Sequence, residues 1–331
     1  MLIMAGDIGG TSTRLICESI TDNQRQIIAE KSYPSKNFTG LLEVVETFMT
    51  EFKLNRPIHS ACFAIAGPVE AGQAKVTNLP WVITQAELAE VLQTPQVKLI
   101  NDFVAVAYGV TQLQETDTVV LQQAAIENNN KSTNKDIAII GAGTGLGASH
   151  LVWLFDHYKP LSSETGHSGF APETPQQNQL LSWLQTTQSH VSLETVLSGS
   201  GLYRIYNFLL QTANMPESNT IQAEFKTTDP AQVITDYANN NDPLCVKALE
   251  LFVEIYGAAA GNVVLSYYPV AELYIAGGIG AKLKPQMQQP QFINAFINKG
   301  LMTEVMKKVT VKLIMQEKTG LLGALSVARS F

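Results

Sequence analysis

Two glycine–threonine turns of one kind, about 135 residues apart, constrain this chain more than any other feature. The first, Asp7-Ile8-Gly9-Gly10-Thr11-Ser12-Thr13-Arg14, follows an apolar run at residues 2–5, and apolar residues resume at Leu15, Ile16 and Cys17. The second, Gly141-Ala142-Gly143-Thr144-Gly145-Leu146-Gly147, divides apolar runs at 137–140 and 148–155. Both read as a strand, a tight Gly-rich turn and a second strand. The same device used twice predicts an α/β protein with two lobes on a common plan.

The remaining pattern fills in around these turns. A third strand is expected near 27–32, then a helix over 41–54 with Leu41, Val45, Phe48 and Phe52 on one face. A strand over 59–66 ends in Gly67-Pro68, and a Thr-x-x-Glu capping box (Thr84, Glu87) opens a helix over 84–92. The strand at 97–100 delivers Asn101-Asp102 at its carboxyl end. An Asn-rich polar stretch at 127–136 reads as a surface loop. Helices follow over 178–187, 201–212, 230–237 and 244–267, the third opened by Thr228-Asp229-Pro230. Strands at 272–276 and 309–315 and a helix over 320–330 close the pattern. If that last helix crosses back to the first lobe, the lobes are 1–112 with about 317–331, and 113–316.

Composition narrows the function. At 331 residues, and with about 150 residues per domain, the chain has room for two domains and a sizeable core. A hydrophobic share of 45% marks a folded protein, and a net charge of −7 disfavours nucleic acid as a partner. A local nest of backbone N–H groups holds a phosphate whatever the net charge. Cys17, Cys62 and Cys245 lie far apart, and His59 with Cys62 has no second pair of ligands, so neither a disulfide framework nor a zinc site is expected. The apolar stretches at 137–155 and 255–271 approach membrane-span length but carry polar residues. They read as buried elements of a cytoplasmic protein, with no targeting segment and no membrane partner expected.

Several groups carry chemistry. Paired glycines let the backbone approach an anion closely, and Thr11 and Ser12 add hydroxyl donors. Asp7, at the end of the preceding strand, suits Mg²⁺ beside such a phosphate. The alternative is an ordinary hairpin turn. Gly143-Thr144-Gly145 repeats the device, and two such nests suit a triphosphate. Neither the G-x-G-x-x-G spacing of a dinucleotide fold nor a Walker A lysine is present. Asp102 stands where an α/β sheet places ligand contacts and suits a proton acceptor; Asn101 and Asp102 also suit a helix N-cap. Glu164, His167 and Glu194 taken singly are solvated charges or a structural histidine. Together with Asn101 they are hydroxyl partners without a Lys or Arg, a set that suits a neutral polyol. Gly277 and Gly278 end a strand and either leave room for a flat ring or make a tight connection.

The motifs GDIGGTSTRL (6–15), AIAGPV (64–69), TNLPW (77–81), NDF (101–103), GAGTGLG (141–147), ETGHSGFAP (164–172), ETVLSGSGL (194–202) and IAGGI (275–279) occur together and in order. The set resembles the bacterial glucokinase family, within the actin-like ATPase and hexokinase superfamily, from residue 6 to about 324. The resemblance implies a two-lobed actin-like ATPase (ribonuclease H-like) α/β fold with an interlobe cleft. It implies transfer of the γ-phosphoryl group of ATP to the 6-hydroxyl of glucose with Mg²⁺, the first step of glycolysis. By the same resemblance Asp102 is the catalytic base, and Asn101, Asp102, Glu164, His167 and Glu194 bind glucose. Gly6, Asp7, Gly9, Gly10, Thr11 and Ser12 match the first phosphate motif, with Asp7 toward the metal. Gly143 and Thr144 match the second, and Gly277 and Gly278 the adenosine motif. A homodimer is a further expectation. Lys318-Thr319 stands where many relatives carry Asn-Pro, a departure expected to act on the interlobe hinge or the closing helix rather than on the site. A kinase for another hexose and an actin-like ATP switch without transfer chemistry are the rival readings; the turn spacing disfavours a dehydrogenase.

Overall fold

The computed structural model describes residues 1–22, 24–54, 57–124, 135–212 and 218–331. All but the last two residues of the expected loop at 127–136 lie outside them. The chain divides into two compact units, Met1–Gln114 with Gln316–Phe331, and Glu115–Met315.

The first unit opens with β1 (Leu2–Ile8), β2 (Ser12–Thr21) and β3 (Gln24–Pro34), then α1 (Leu41–Glu51) and β4 (Ile58–Ile65). A three-stranded meander, β5 (Val69–Glu70), β6 (Gln73–Lys75) and β7 (Val82–Thr84), leads to α2 (Gln85–Leu92), β8 (Val97–Asn101) and α3 (Asp102–Val110). The main sheet has the order β3-β2-β1-β4-β8, antiparallel through the first three strands and parallel from β1 to β8. The near-continuous apolar run of β1 fits a strand covered on both faces. Leu2, Met4 and Ile8 pack with α1 and α2, whereas Ile3 and Ala5 pack with α3 and the closing helix Thr319–Ala328. The register pairs Ile8 with Ile65 and Ile65 with Asn101. The first turn, Gly67 and Asp102 therefore leave the sheet at one edge.

The second unit contains β9 (Thr118–Gln122), β10 (Ile137–Ala142), β11 (Leu146–Leu154) and β12 (His157–Ser163). Helices follow: α4 (Pro175–Leu184), α5 (Leu193–Val196), α6 (Gly199–Thr212), α7 (Asn219–Glu224), α8 (Pro230–Asn239) and α9 (Pro243–Tyr267). Then come β13 (Glu272–Ala276), several short helices and β14 (Thr310–Ile314). The sheet order is β12-β11-β10-β13-β14-β9. Its first five strands repeat the plan of the other sheet: two antiparallel hairpin pairings, then two parallel ones. α9 is long and apolar enough to cross a membrane by length and composition, yet most of that stretch is buried inside the unit. Gly141 pairs with Gly147 on one side and Ala276 on the other, so the second turn and Gly277 share an edge.

Element ends differ from expectation for local reasons. β1 runs on through Gly6 and Asp7, which pair with Leu15 and Arg14, so the turn is only residues 9–11. Likewise β10 extends through Gly141 and Ala142. α1 stops at Glu51, where Lys53 adopts φ +51, and Phe52 lies beyond the helix. α4 starts at Pro175, three residues before the expected 178, because Thr174 accepts the Gln177 N–H at 3.3 Å as N-cap.

Candidate active site

In the first unit, the Gly9-Gly10-Thr11 turn is closed by the Gly9 N–H donating to Ser12 O at 3.0 Å. Its carbonyls are held from behind. Buried Ser35 donates through Oγ to Gly9 O at 2.8 Å and through its N–H to Thr11 O at 3.0 Å. Thr13 Oγ1 lies 3.0 Å from the same Ser35 hydroxyl. Among the described residues the Gly10 and Thr11 N–H groups meet no acceptor, as a nest for an anion requires. A Cβ on Gly10 would stand 3.2 Å from Thr77 O, so the 77–81 loop is packed on the turn. Gly6 lies inside β1, where a Cβ would come within 2.7 Å of Phe63. Its role is packing, and the turn proper starts three residues later.

Asp7 is half-buried at the end of β1, opposite Arg14. Burial raises its pKa, and the Arg14 guanidinium partly opposes that. Among the described residues its oxygens accept no hydrogen bond. A desolvated carboxylate with spare acceptor capacity fits Mg²⁺, directly or through water. A Cβ on Gly320 would lie 3.7 Å from Asp7 Oδ2, and Arg14 Nη1 donates to Glu317 O at 3.2 Å. The stretch from Glu317 to Gly320 thus packs beside the first turn, within the first unit.

Asn101 is the N-cap of α3. Its Oδ1 accepts from Phe103 N at 2.9 Å and Val104 N at 3.3 Å, and Nδ2 donates to Gly67 O at 3.2 Å. Asp102 is the first helical residue, with Oδ1 accepting from Phe103 N at 2.9 Å. The two candidate roles are divided: Asn101 caps the helix, and the cap fixes where Asp102 starts.

In the second unit, the turn is closed by Gly143 N–H donating to Gly145 O at 2.8 Å, with Thr144 exposed at its tip. Gly199 N donates to Gly143 O at 3.0 Å. Glu194 sits in α5, whose N-cap Ser192 forms a capping box with Thr195. Its Oε2 accepts the Leu146 N–H at 2.9 Å. Glu164 precedes a single 3-10 turn, Thr165–His167, and His167 Nε2 lies 3.9 Å from Glu164 Oε2 with both side chains well exposed. The Leu193 N–H donates to Ser168 O at 2.9 Å, and Gly169 bridges Ser192, so the segments carrying Glu164, His167 and Glu194 form one hydrogen-bonded pair. Gly277 adopts φ +84, and a Cβ there would meet Ala142 O at 2.3 Å, so only glycine fits. Gly278 faces open space. Tyr256, wholly buried, accepts the Ala142 N–H at 3.0 Å and donates to Ala276 O at 3.4 Å, fixing turn and glycine pair together.

Sequence reasoning missed Ser35, Tyr256, Leu146 and Gly320. Only Leu146, inside the second Gly-rich turn, and Gly320, next to the Lys318-Thr319 departure, stood in stretches that carried a signal.

Two sheets of one topology, each opening on a hairpin with a Gly/Thr turn, define the two-lobed actin-like ATPase fold of the sugar kinases. The family model described as Glucokinase matches residues 4–331. A glucokinase of Nostoc sp. is 40% identical over 98% of this chain and 97% of its own. One of Synechocystis sp. is 38% identical over 97% and 96%. The crystal structure of a glucokinase from an Antarctic psychrotroph superposes with a TM-score of 0.83 at 31% identity, covering 100% of this chain and 99% of that one. The chain belongs to the glucokinase family.

Proposed function

We propose that this protein transfers the γ-phosphoryl group of ATP to the 6-hydroxyl of D-glucose, the entry step of glycolysis. The family match carries the reading: it runs over residues 4–331.

A sugar hydroxyl is a weak nucleophile, so the protein's work is orientation and charge. Glu164, His167 and Glu194 hold the sugar by its hydroxyls, and Asp102 accepts the 6-hydroxyl proton as the oxygen–phosphorus bond forms. The N–H groups of the first turn and the Gly143-Thr144 turn cradle phosphate oxygens. Gly278, which faces open space, leaves room for the adenine face, and Gly277 makes the tight connection beside it. Asp7 is the residue that would hold Mg²⁺ brought in with ATP, and the ion would offset phosphoryl charge. The enzyme works in the cytoplasm, as a homodimer, on free sugar and nucleotide. The partner set supports neutral sugar over phosphorylated sugar, because it contains no Lys or Arg to neutralise a second phosphate.

The test is ADP formation from Mg-ATP with glucose, mannose, fructose, N-acetylglucosamine or no sugar. Turnover with glucose well above the others is expected. Sugar-independent ADP release overturns the kinase reading, and a different preferred hexose overturns the substrate.

A further inference from the structure

The second turn does not stand alone. A single stretch of chain, 194–199, braces it at both ends. Gly199 donates to Gly143 O at 3.0 Å at its start, and Glu194 Oε2 accepts from Leu146 N at 2.9 Å at its finish. Ser198 Oγ donates to Glu194 O at 2.8 Å and accepts from Gly201 N at 3.1 Å, which stiffens that stretch. Gly145 leaves the space into which the carboxylate enters, since a Cβ there would lie 2.4 Å from Oε2. On its other side Leu146 is met by the turn that carries Glu164 and His167: a Cβ on Gly166 would stand 2.0 Å from Leu146 O. The two carboxylate oxygens of Glu194 are therefore unequal. Oε2 belongs to the turn, and Oε1 accepts no hydrogen bond among the described residues.

We propose that Glu194 is a positioning residue for the nucleotide as well as a sugar ligand, and that its carboxylate couples the two sites. This inference rests on the proposed roles of Glu194 and the second turn. A sugar hydroxyl donating to Oε1 fixes the side chain, and a fixed Oε2 holds the Leu146 N–H and with it the turn that receives phosphate. Occupancy of one site then favours the other, by the same factor in both directions. Gly145 is glycine for this contact, and a side chain there acts on the sugar through Glu194 without touching it.

The experiment measures binding of glucose and of a non-hydrolysable ATP analogue by calorimetry, each alone and each in the presence of the other. In the wild type each ligand tightens the other by roughly fivefold or more. Glu194→Ala weakens the analogue about tenfold in the absence of any sugar, the ordinary weight of a hydrogen bond to a charged group. Glu194→Gln keeps an acceptor for the Leu146 N–H, so it restores most of the analogue's affinity while glucose stays weak. Gly145→Ala weakens glucose in the absence of nucleotide. If Glu194→Ala weakens glucose alone and leaves analogue affinity unchanged, the coupling is overturned and Glu194 remains a sugar ligand only. Should Gly145→Ala unfold, the Ala and Gln pair at position 194 decides by itself. Failure of the function itself reads differently: the wild type then binds no glucose.

Discussion

Asn101 uses Oδ1 for two backbone N–H groups at the start of α3 and Nδ2 for the carbonyl of Gly67. Substitution to Ala removes the cap and that link at once, which costs about 1–2 kcal/mol. Asn101→Ala is expected to lower the midpoint of thermal unfolding and to reduce kcat, because Asp102 loses its fixed starting point. Asn101→Asp keeps the cap but loses the donor to Gly67 O, so its midpoint should fall less than that of Asn101→Ala. Equal losses in both variants would remove capping as the explanation. This pair was legible in the sequence because capping is local: Asn-Asp ahead of an apolar run says most of it. Ser35 and Tyr256 were not legible. They reach the two turns across 26 and 114 residues of chain, and no local pattern encodes such a separation.

Among elements, the closing helix crosses α3 almost backbone to backbone. A Cβ on Gly109 would meet Thr319 O at 2.0 Å, and one on Gly323 would meet Ala105 O at 1.8 Å. The apolar face between them, with Ala105, Leu321, Ala324 and Leu325, belongs to one core cluster with Ile3, Ala5 and Ala64 of the sheet. Gly109→Ala forces the two helices apart, and overpacking of this kind costs roughly 1–3 kcal/mol. A clear fall in the denaturant midpoint with unchanged slope is expected; an unshifted midpoint contradicts this account of the crossing. Long elements were visible in the sequence because their apolar periods outlast noise, as in α9 and β1. The short ones were not: β5, β6 and β7 span two or three residues each, and β9 has only partly buried residues facing its neighbour. Element ends were set by features that a period does not report, such as the φ of +51 at Lys53 and the N-cap at Thr174.

At the scale of the molecule, the repeated Gly/Thr turn announced a repeated topology, and the strand orders β3-β2-β1-β4-β8 and β12-β11-β10-β13-β14 are that repeat. The turn was visible because it needs glycine, whereas the parallel pairings that complete each sheet join strands separated by long crossovers. The same logic applies to the site. Asn101, Glu164, His167 and Glu194 stood out as a set because their types suit sugar hydroxyls, and Asp102 stood out by its place at a strand end. The bonds around Glu194, from Leu146 N–H to its carboxylate and from Gly199 N–H to Gly143 O, use backbone groups that any residue supplies.

The central claim is that Asp102 takes the proton from the sugar hydroxyl during phosphoryl transfer. Glucose-dependent ADP formation by Asp102→Ala, measured at saturating Mg-ATP beside glucose binding to the same variant, tests it most directly. A fall in kcat of roughly 10²–10⁴ with glucose still bound is the predicted result. A kcat within about threefold of the wild type would contradict it, since the range expected for a positioned general base starts far above that.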